Sequence, residues 1–141
     1  MTEKNYTISD LVDVVRKGNA PPPCDTTLQV HAYYAEEGIS RGRWEVSSLF
    51  INGNGVVMGG LLSAAADIMM AYAIASCLND DQRFASINLQ TTFHRPAFQG
   101  VVEIEARVER LGKSVAYLVA DLTQDGKKVA SSVSSVMIME A

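Results

Sequence analysis

The sequence predicts an α+β domain in which one antiparallel sheet wraps one long central helix. Three observations carry this. From Gly55 to Leu78 the chain holds one charged residue, Asp67; it is rich in Ala, Leu and Met and has no proline, so 59–78 reads as one helix. Segments that alternate apolar and polar residues lie on both sides of it. A helix that is apolar nearly all round must be covered on most sides, and a curled sheet does this.

"TISDLVDVVRKG" (7–18) predicts a short helix. Thr7 or Ser9 can cap it, and Leu11, Val14 and Val15 form a narrow apolar stripe. Gly18 ends it, and the three prolines at 21–23 predict a stiff linker, so residues 1–24 read as an N-terminal helix and Pro-rich linker. "TLQVHAYYAEEG" predicts a strand, with Leu28, Val30, Ala32 and Tyr34 facing one way and Gln29, His31 and Tyr33 the other. "EEGISRG" predicts a turn, and "GRWEVSSLF" a second strand with Trp44, Val46, Ser48 and Phe50 on one face.

After the helix, "NDDQR" is a polar break. "FASINLQTTF" reads as one strand, with Ala85, Ile87, Leu89 and Phe93 set against Ser86, Asn88, Gln90 and Thr92. "VEIEARVER" alternates most cleanly, Val102, Ile104, Ala106 and Val108 against four charged residues. "SVAYLVADL" and "KVASSVSSVMIM" complete the sheet across a turn at Asp125-Gly126.

A length of 141 residues suits one domain, 1–141, with one core. The net charge of -4 comes with no cluster of Lys and Arg, which argues against a nucleic-acid partner. The helix around Leu11–Val15 is too short and acidic for a recognition helix. The N-terminus lacks a basic region followed by an apolar one, so a cytoplasmic location is expected. Cys24 and Cys77 then read as free thiols. The apolar stretch is long enough to raise a membrane-span reading. Asp67 near its centre, Ser63, Ser76 and the later amphipathic strands favour a buried helix and no membrane partner. No His/Cys/Asp cluster suggests a metal. His31 and His94 lie on polar strand faces, and no Gly-x-Ser-x-Gly elbow accompanies them.

Helical spacing places Ser63, Asp67, Met70, Ala71 and Ile74 on one stripe. Two readings of Asp67 stand: a buried acid satisfied by Ser63 or nearby backbone, or a functional carboxylate with a raised pKa. Two readings of Gly59-Gly60 stand as well. One is a tight turn with close backbone approach; the other is a set of free amides at a positive helix end that binds developing negative charge. Gly59 and Asp67 are separated by about 12 Å along a helix. They can meet at one carbonyl only if two copies pack their helices antiparallel, so a joint catalytic role requires a homodimer with shared sites.

Asn52, Gly55, Met58, Gly59, Gly60 and Asp67 resemble the signature of the PaaI-like hotdog-fold acyl-CoA thioesterases, Asn-x-x-Gly-x-x-His-Gly-Gly with an Asp nine residues after the His. "FHRPAFQGVVEIEARVERLGKSVAYLVADLTQDGKKVASS" is similar to the downstream pattern of that family, and the likeness runs over about 25–139. The resemblance implies a central helix wrapped by an antiparallel sheet, a homodimer with active sites at its interface, and frequent pairing of dimers into tetramers. It implies hydrolysis of a small or medium acyl-CoA, with coenzyme A as part of the substrate and no further cofactor. It assigns Asp67 to activating water or attacking the carbonyl, the Gly59 amide to polarising it, and Asn52 to positioning the reacting groups. Ser86 matches a strand position that assists water or substrate in some members, its other reading being a solvated hydroxyl. Met58, Gly60 and Ser63 fall where substrate would pass. Met58 replaces the family His, which removes that side chain's donor and leaves the Gly59 amide. A non-catalytic acyl-CoA-binding sensor is the alternative. A hotdog dehydratase would need a His opposite its acid, which the helix region lacks. Arg83, Arg95 and Lys113 could meet coenzyme A phosphates, with a solvated role as the default.

Overall fold

A computed structural model describes residues 4–141. The elements run α1 (Ile8–Arg16), α2 (Pro23–Leu28), β1 (Val30–Glu36), β2 (Ile39–Val46), a 3-10 turn (Ser48–Phe50), α3 (Gly59–Ala75), β3 (Gln82–Ser86), β4 (Gln90–Phe93), β5 (Gly100–Leu111), β6 (Val115–Gln124) and β7 (Lys127–Glu140). One curled antiparallel sheet, ordered β1-β2-β5-β6-β7-β3 with β4 also paired to β7, encloses α3. This is the predicted architecture.

The core forms because α3 is apolar on almost every side: Leu62, Ala65, Ala66, Met69, Met70, Tyr72, Ala73 and Ile74 are all buried. They meet Trp44, Val102, Ile104, Leu118 and Leu122 from the sheet. Each large apolar side chain among them contributes about 1.5–3 kcal/mol by leaving water. Small residues let the sheet come close. A Cβ at Gly42 would lie 2.4 Å from the Met69 sulfur and 3.0 Å from the His31 carbonyl, so β2 can cross the helix there only as glycine. Among the described residues no helix is long and apolar enough to cross a membrane.

The N-terminal helix begins as expected. Thr7 caps α1 in a reciprocal box with Asp10. The linker differs from its prediction. Pro23 opens a second helix instead of extending a stiff coil, and this helix runs to Leu28 before Gln29 ends it in a left-handed conformation. Proline suits a first helical turn because its missing N–H has no partner there anyway. The first strand therefore starts at Val30, not at Thr27.

Three further boundaries move. Ser48 and Phe50 leave the second strand for a 3-10 turn started by the Ser47 hydroxyl, which accepts from the Leu49 amide. Helix α3 ends at Ala75 rather than Leu78, where the Ser76 hydroxyl donates to the Ala73 carbonyl and accepts from the Gly38 amide. The strand expected over 84–93 is two strands. Asn88 interrupts it, its carbonyl accepting from the Ser134 hydroxyl and its side chain from the Ser135 amide. In β3 the phase also inverts: Phe84 and Ser86 face α3, while Ile87 is left exposed; beyond Asn88 it returns to the predicted one, with Leu89 against the core and Phe93 against Gly59.

Candidate active site

One stripe of α3 faces the pair of short strands at the sheet edge. Gly59 lies against the ring of Phe93. Four residues on, the Ser63 hydroxyl donates to the Thr91 hydroxyl at 2.6 Å. Four further on, Asp67 stands beside Ser86, and after another turn Ala71 shares its surroundings with Phe84. Helix and edge strands run antiparallel, so the i, i+4 spacing of the helix matches successive inward positions of β4 and β3. This brings together Gly59, Ser63, Asp67 and Ser86 on one face but leaves them at different levels.

Asp67 is the only charged residue of α3. It is exposed in the single chain but forms one side of a cavity of about 320 Å³, which it lines with Ser86, Ile68, Ala71 and Phe84. Partial desolvation raises its carboxyl above the usual range, and the neighbouring Ser86 hydroxyl opposes the rise. Among the described residues Ser86 is the side chain that hydrogen-bonds it, and no cation compensates the charge. Ser63 is not the partner of Asp67, contrary to one reading of the sequence. It is held in a chain of hydroxyls, Ser63 to Thr91 to Ser132, which leaves Asp67 free.

Gly59 and Gly60 start α3 without a side-chain cap. Among the described residues their amides have no acceptor, as expected of a helix start. Gly59 lines a different cavity, of about 470 Å³, with Leu62, Phe93 and Pro96. A Cβ on Gly59 would come within 2.7 Å of the Phe93 ring, so glycine is what allows the ring and the helix end to touch. The open position is at Gly60, where a Cβ would meet only the Met58 methyl, at 3.8 Å. Met58 precedes the helix and is half-exposed.

Asn52 does not reach toward Asp67. Its side-chain oxygen accepts from the Asn54 amide at 2.9 Å and from the Val56 amide at 3.4 Å. It builds the turn that delivers Val57 and Met58, whose amides bond Ala97 and Phe50, to the start of α3. Among the described residues its amide nitrogen has no hydrogen-bond partner. His94 is engaged with the Ser131 hydroxyl at 2.8 Å, in keeping with its polar strand face.

One more feature has no signal in the sequence. Asp25 on α2 is 2 % exposed, and the Tyr72 hydroxyl donates to it. Cys24 donates to its other oxygen at 3.4 Å. Burial raises the Asp25 carboxyl and the Tyr72 phenol alike. Both side chains border the Asp67 cavity. Among the described residues no group of three potential metal ligands forms.

A partly desolvated carboxylate without a counterion is suited to accept a proton, and a helix start with free amides to bind an oxyanion. Known proteins share this frame. The family model described as the thioesterase superfamily matches residues 54–131. A protein of Ralstonia eutropha JMP134, provisionally named a thioesterase related to phenylacetic acid degradation, superposes with a TM-score of 0.83 and 32% identity, over 90% of this chain and 98% of that one. The PaaI protein of the phenylacetic acid degradation operon of E. coli gives a TM-score of 0.74 and 25% identity, over 81% and 86%. A Pseudomonas aeruginosa protein provisionally named an esterase is 34% identical over 86 residues. That match covers 60% of this chain and 63% of the relative, less than two thirds of its length. The shared architecture is the hotdog fold.

Proposed function

The chain belongs to the thioesterase superfamily, and on that premise we propose that it hydrolyses a small or medium acyl-CoA to the free acid and coenzyme A. The observation that carries the proposal is Asp67, an uncompensated carboxylate in a cavity beside Ser86. In this reading Asp67 takes a proton from water as the water oxygen attacks the thioester carbon. The carbonyl oxygen becomes an oxyanion and accepts from the amide of Gly59 of the partner subunit. The C–S bond then breaks, and the thiolate recovers the proton from Asp67. Ser86 positions the water. Asn52 shapes the turn before the helix and offers its amide nitrogen to the substrate, while Met58, Gly60 and Ser63 border the path to the carbonyl. No cofactor is needed, because coenzyme A arrives as part of the substrate.

The homodimer is part of the proposal. Gly59 and Asp67 line separate cavities in one chain, and β3 and β4 form a sheet edge flanked by half-exposed Met58, Ile87 and Phe93. An unpaired edge with apolar side chains favours pairing with a second copy. Thiol release over a panel of acyl-CoAs, with wild type and Asp67→Asn, tests the reading. Turnover by wild type and a loss of about a hundredfold or more in a folded variant are expected. Tight binding without turnover by wild type would favour the acyl-CoA-binding sensor. Unchanged activity in Asp67→Asn would remove Asp67 from the chemistry.

A further inference from the structure

We propose that Leu11 of α1 and Phe84 of β3 form the end wall of the acyl pocket, so that the N-terminal arm, residues 8–28, limits the substrate to short acyl chains. The inference rests on the thioesterase reading above and adds the residues that set acyl length.

The cavity that holds Asp67 and Ser86 continues along α3 toward Ala71. A second cavity, of about 400 Å³, lies beyond and contains neither Asp67 nor Ser86. Leu11, Pro22, Ala71 and Phe84 line both. These four side chains are therefore the boundary between them. Ala71 is one helical turn, about 6 Å, from Asp67. An extended acyl chain whose carbonyl sits at Asp67 reaches the boundary after a few methylenes. Past it, the second cavity would accept the chain, but Leu11, 8 % exposed, and Phe84 stand in the way.

The wall is fixed at both ends. The Ser9 amide and hydroxyl both donate to the Asp80 carboxylate at 2.8 Å, holding α1 to the loop after α3. The buried Asp25 accepts from the Tyr72 hydroxyl, holding α2 to α3. The arm also lies outside residues 54–131, the segment that matches the family model. Selection of acyl length is thus shared between the arm, through Leu11 and Pro22, and the segment that carries Gly59, Asp67 and Ser86, through Ala71 and Phe84.

The test compares kcat/KM for butanoyl-, hexanoyl- and decanoyl-CoA in the full chain. Leu11→Ala or Phe84→Ala joins the two cavities, and each methylene newly buried is worth about fourfold. The decanoyl-to-butanoyl ratio is expected to rise about tenfold or more. Ala71→Leu, which fills the boundary without opening the core, should lower the hexanoyl-to-butanoyl ratio, and it keeps the test decisive if Leu11→Ala fails to fold. Ratios that stay at the wild-type value in folded Phe84→Ala and Ala71→Leu, with turnover still dependent on Asp67, overturn the wall and leave the thioesterase reading intact. A wild type that already prefers decanoyl-CoA overturns the wall as well. Absence of turnover on every acyl-CoA overturns both.

Discussion

Gly59 and Asp67 share one stripe of α3 yet open into separate cavities, one beside Phe93 and Pro96, the other beside Ser86 and Phe84. Two helical turns, about 12 Å, divide them. A carbonyl carbon and its oxygen cannot span that gap. If both residues act on one thioester, a two-fold axis must bring Gly59 of one copy to Asp67 of the other.

This relationship makes complementation the sharpest test of the shared site. Gly59→Pro removes the amide donor while suiting the first helical position, and Met58 before it already has the extended backbone that proline requires. The half-exposed Phe93 must swing aside. Alone, Gly59→Pro should lose about 100- to 1,000-fold in kcat. Mixed with Asp67→Ala under subunit exchange, it should recover about a quarter of wild-type activity, because about half of the dimers are mixed and each carries one intact site. No recovery after verified exchange would mean that each site is built within one chain.

The raised carboxyl of Asp67 fixes the sign of two pH effects. The base form is lost as pH falls, so the acid limb of kcat/KM should lie above the ordinary carboxylate value of 3.8. Ser86→Ala removes the opposing hydroxyl and should move that limb to higher pH. For stability, a folded pKa above the unfolded one means that the folded chain binds more protons between the two values. The ionised Asp67 therefore costs stability above that window, and the cost disappears as pH falls through it. Asp67→Asn should melt at the same or a higher temperature than wild type at about pH 7, with the difference vanishing in acid. A clear destabilisation at neutral pH would show Asp67 to be a structural acid.

Tyr72→Phe should separate the arm from the helix. It leaves the buried Asp25 without its strongest donor, at a cost of about 1–3 kcal/mol. The hydroxyl favours the ionised carboxylate, so the loss should be largest at neutral pH and smaller where Asp25 is protonated. Denaturant unfolding over a pH series reads this directly, the loss shrinking as Asp25 takes up its proton. A loss that grows toward acid would mean that the bond serves the neutral acid.

The frame of the molecule was legible because its signals were long. The stretch around Asp67 is almost uncharged over a helix of 17 residues, and the alternation from Val102 to Val108 repeats one period several times. The errors came where a few polar bonds overrule a pattern. Asn88, held by Ser134 and Ser135, splits one predicted strand into two and turns Ser86 inward. That inversion is what puts Ser86 beside Asp67, and no local spacing announces it. Asp25 was invisible for a related reason. Its burial depends on Tyr72, 47 residues away, and on a proline-started helix where three prolines in a row suggest extended chain. Ser63 was placed on the correct stripe but given the wrong partner, since Thr91 competes for its hydroxyl.

Met58 is where the chain departs from the family signature, and its position sets the last prediction. It precedes Gly59 and overhangs Gly60, its methyl 3.8 Å from where a Gly60 Cβ would be. It donates no hydrogen bond and is flexible and apolar, so it fills space without polarising a carbonyl. Oxyanion stabilisation in the proposed site then falls to the Gly59 amide and the positive end of α3. Met58→His adds a side-chain donor at the same place. A well-placed donor contributes about 0.5–1.5 kcal/mol net, or about two- to twelvefold in rate. Because the new donor meets charge that develops during the reaction, the gain should appear in kcat with KM little changed. A change in KM alone would mean that position 58 contacts the bound ground state and not the oxyanion. If wild type binds acyl-CoA without turnover and Met58→His starts it, the native chain is a binding protein whose chemistry is silenced at this one residue.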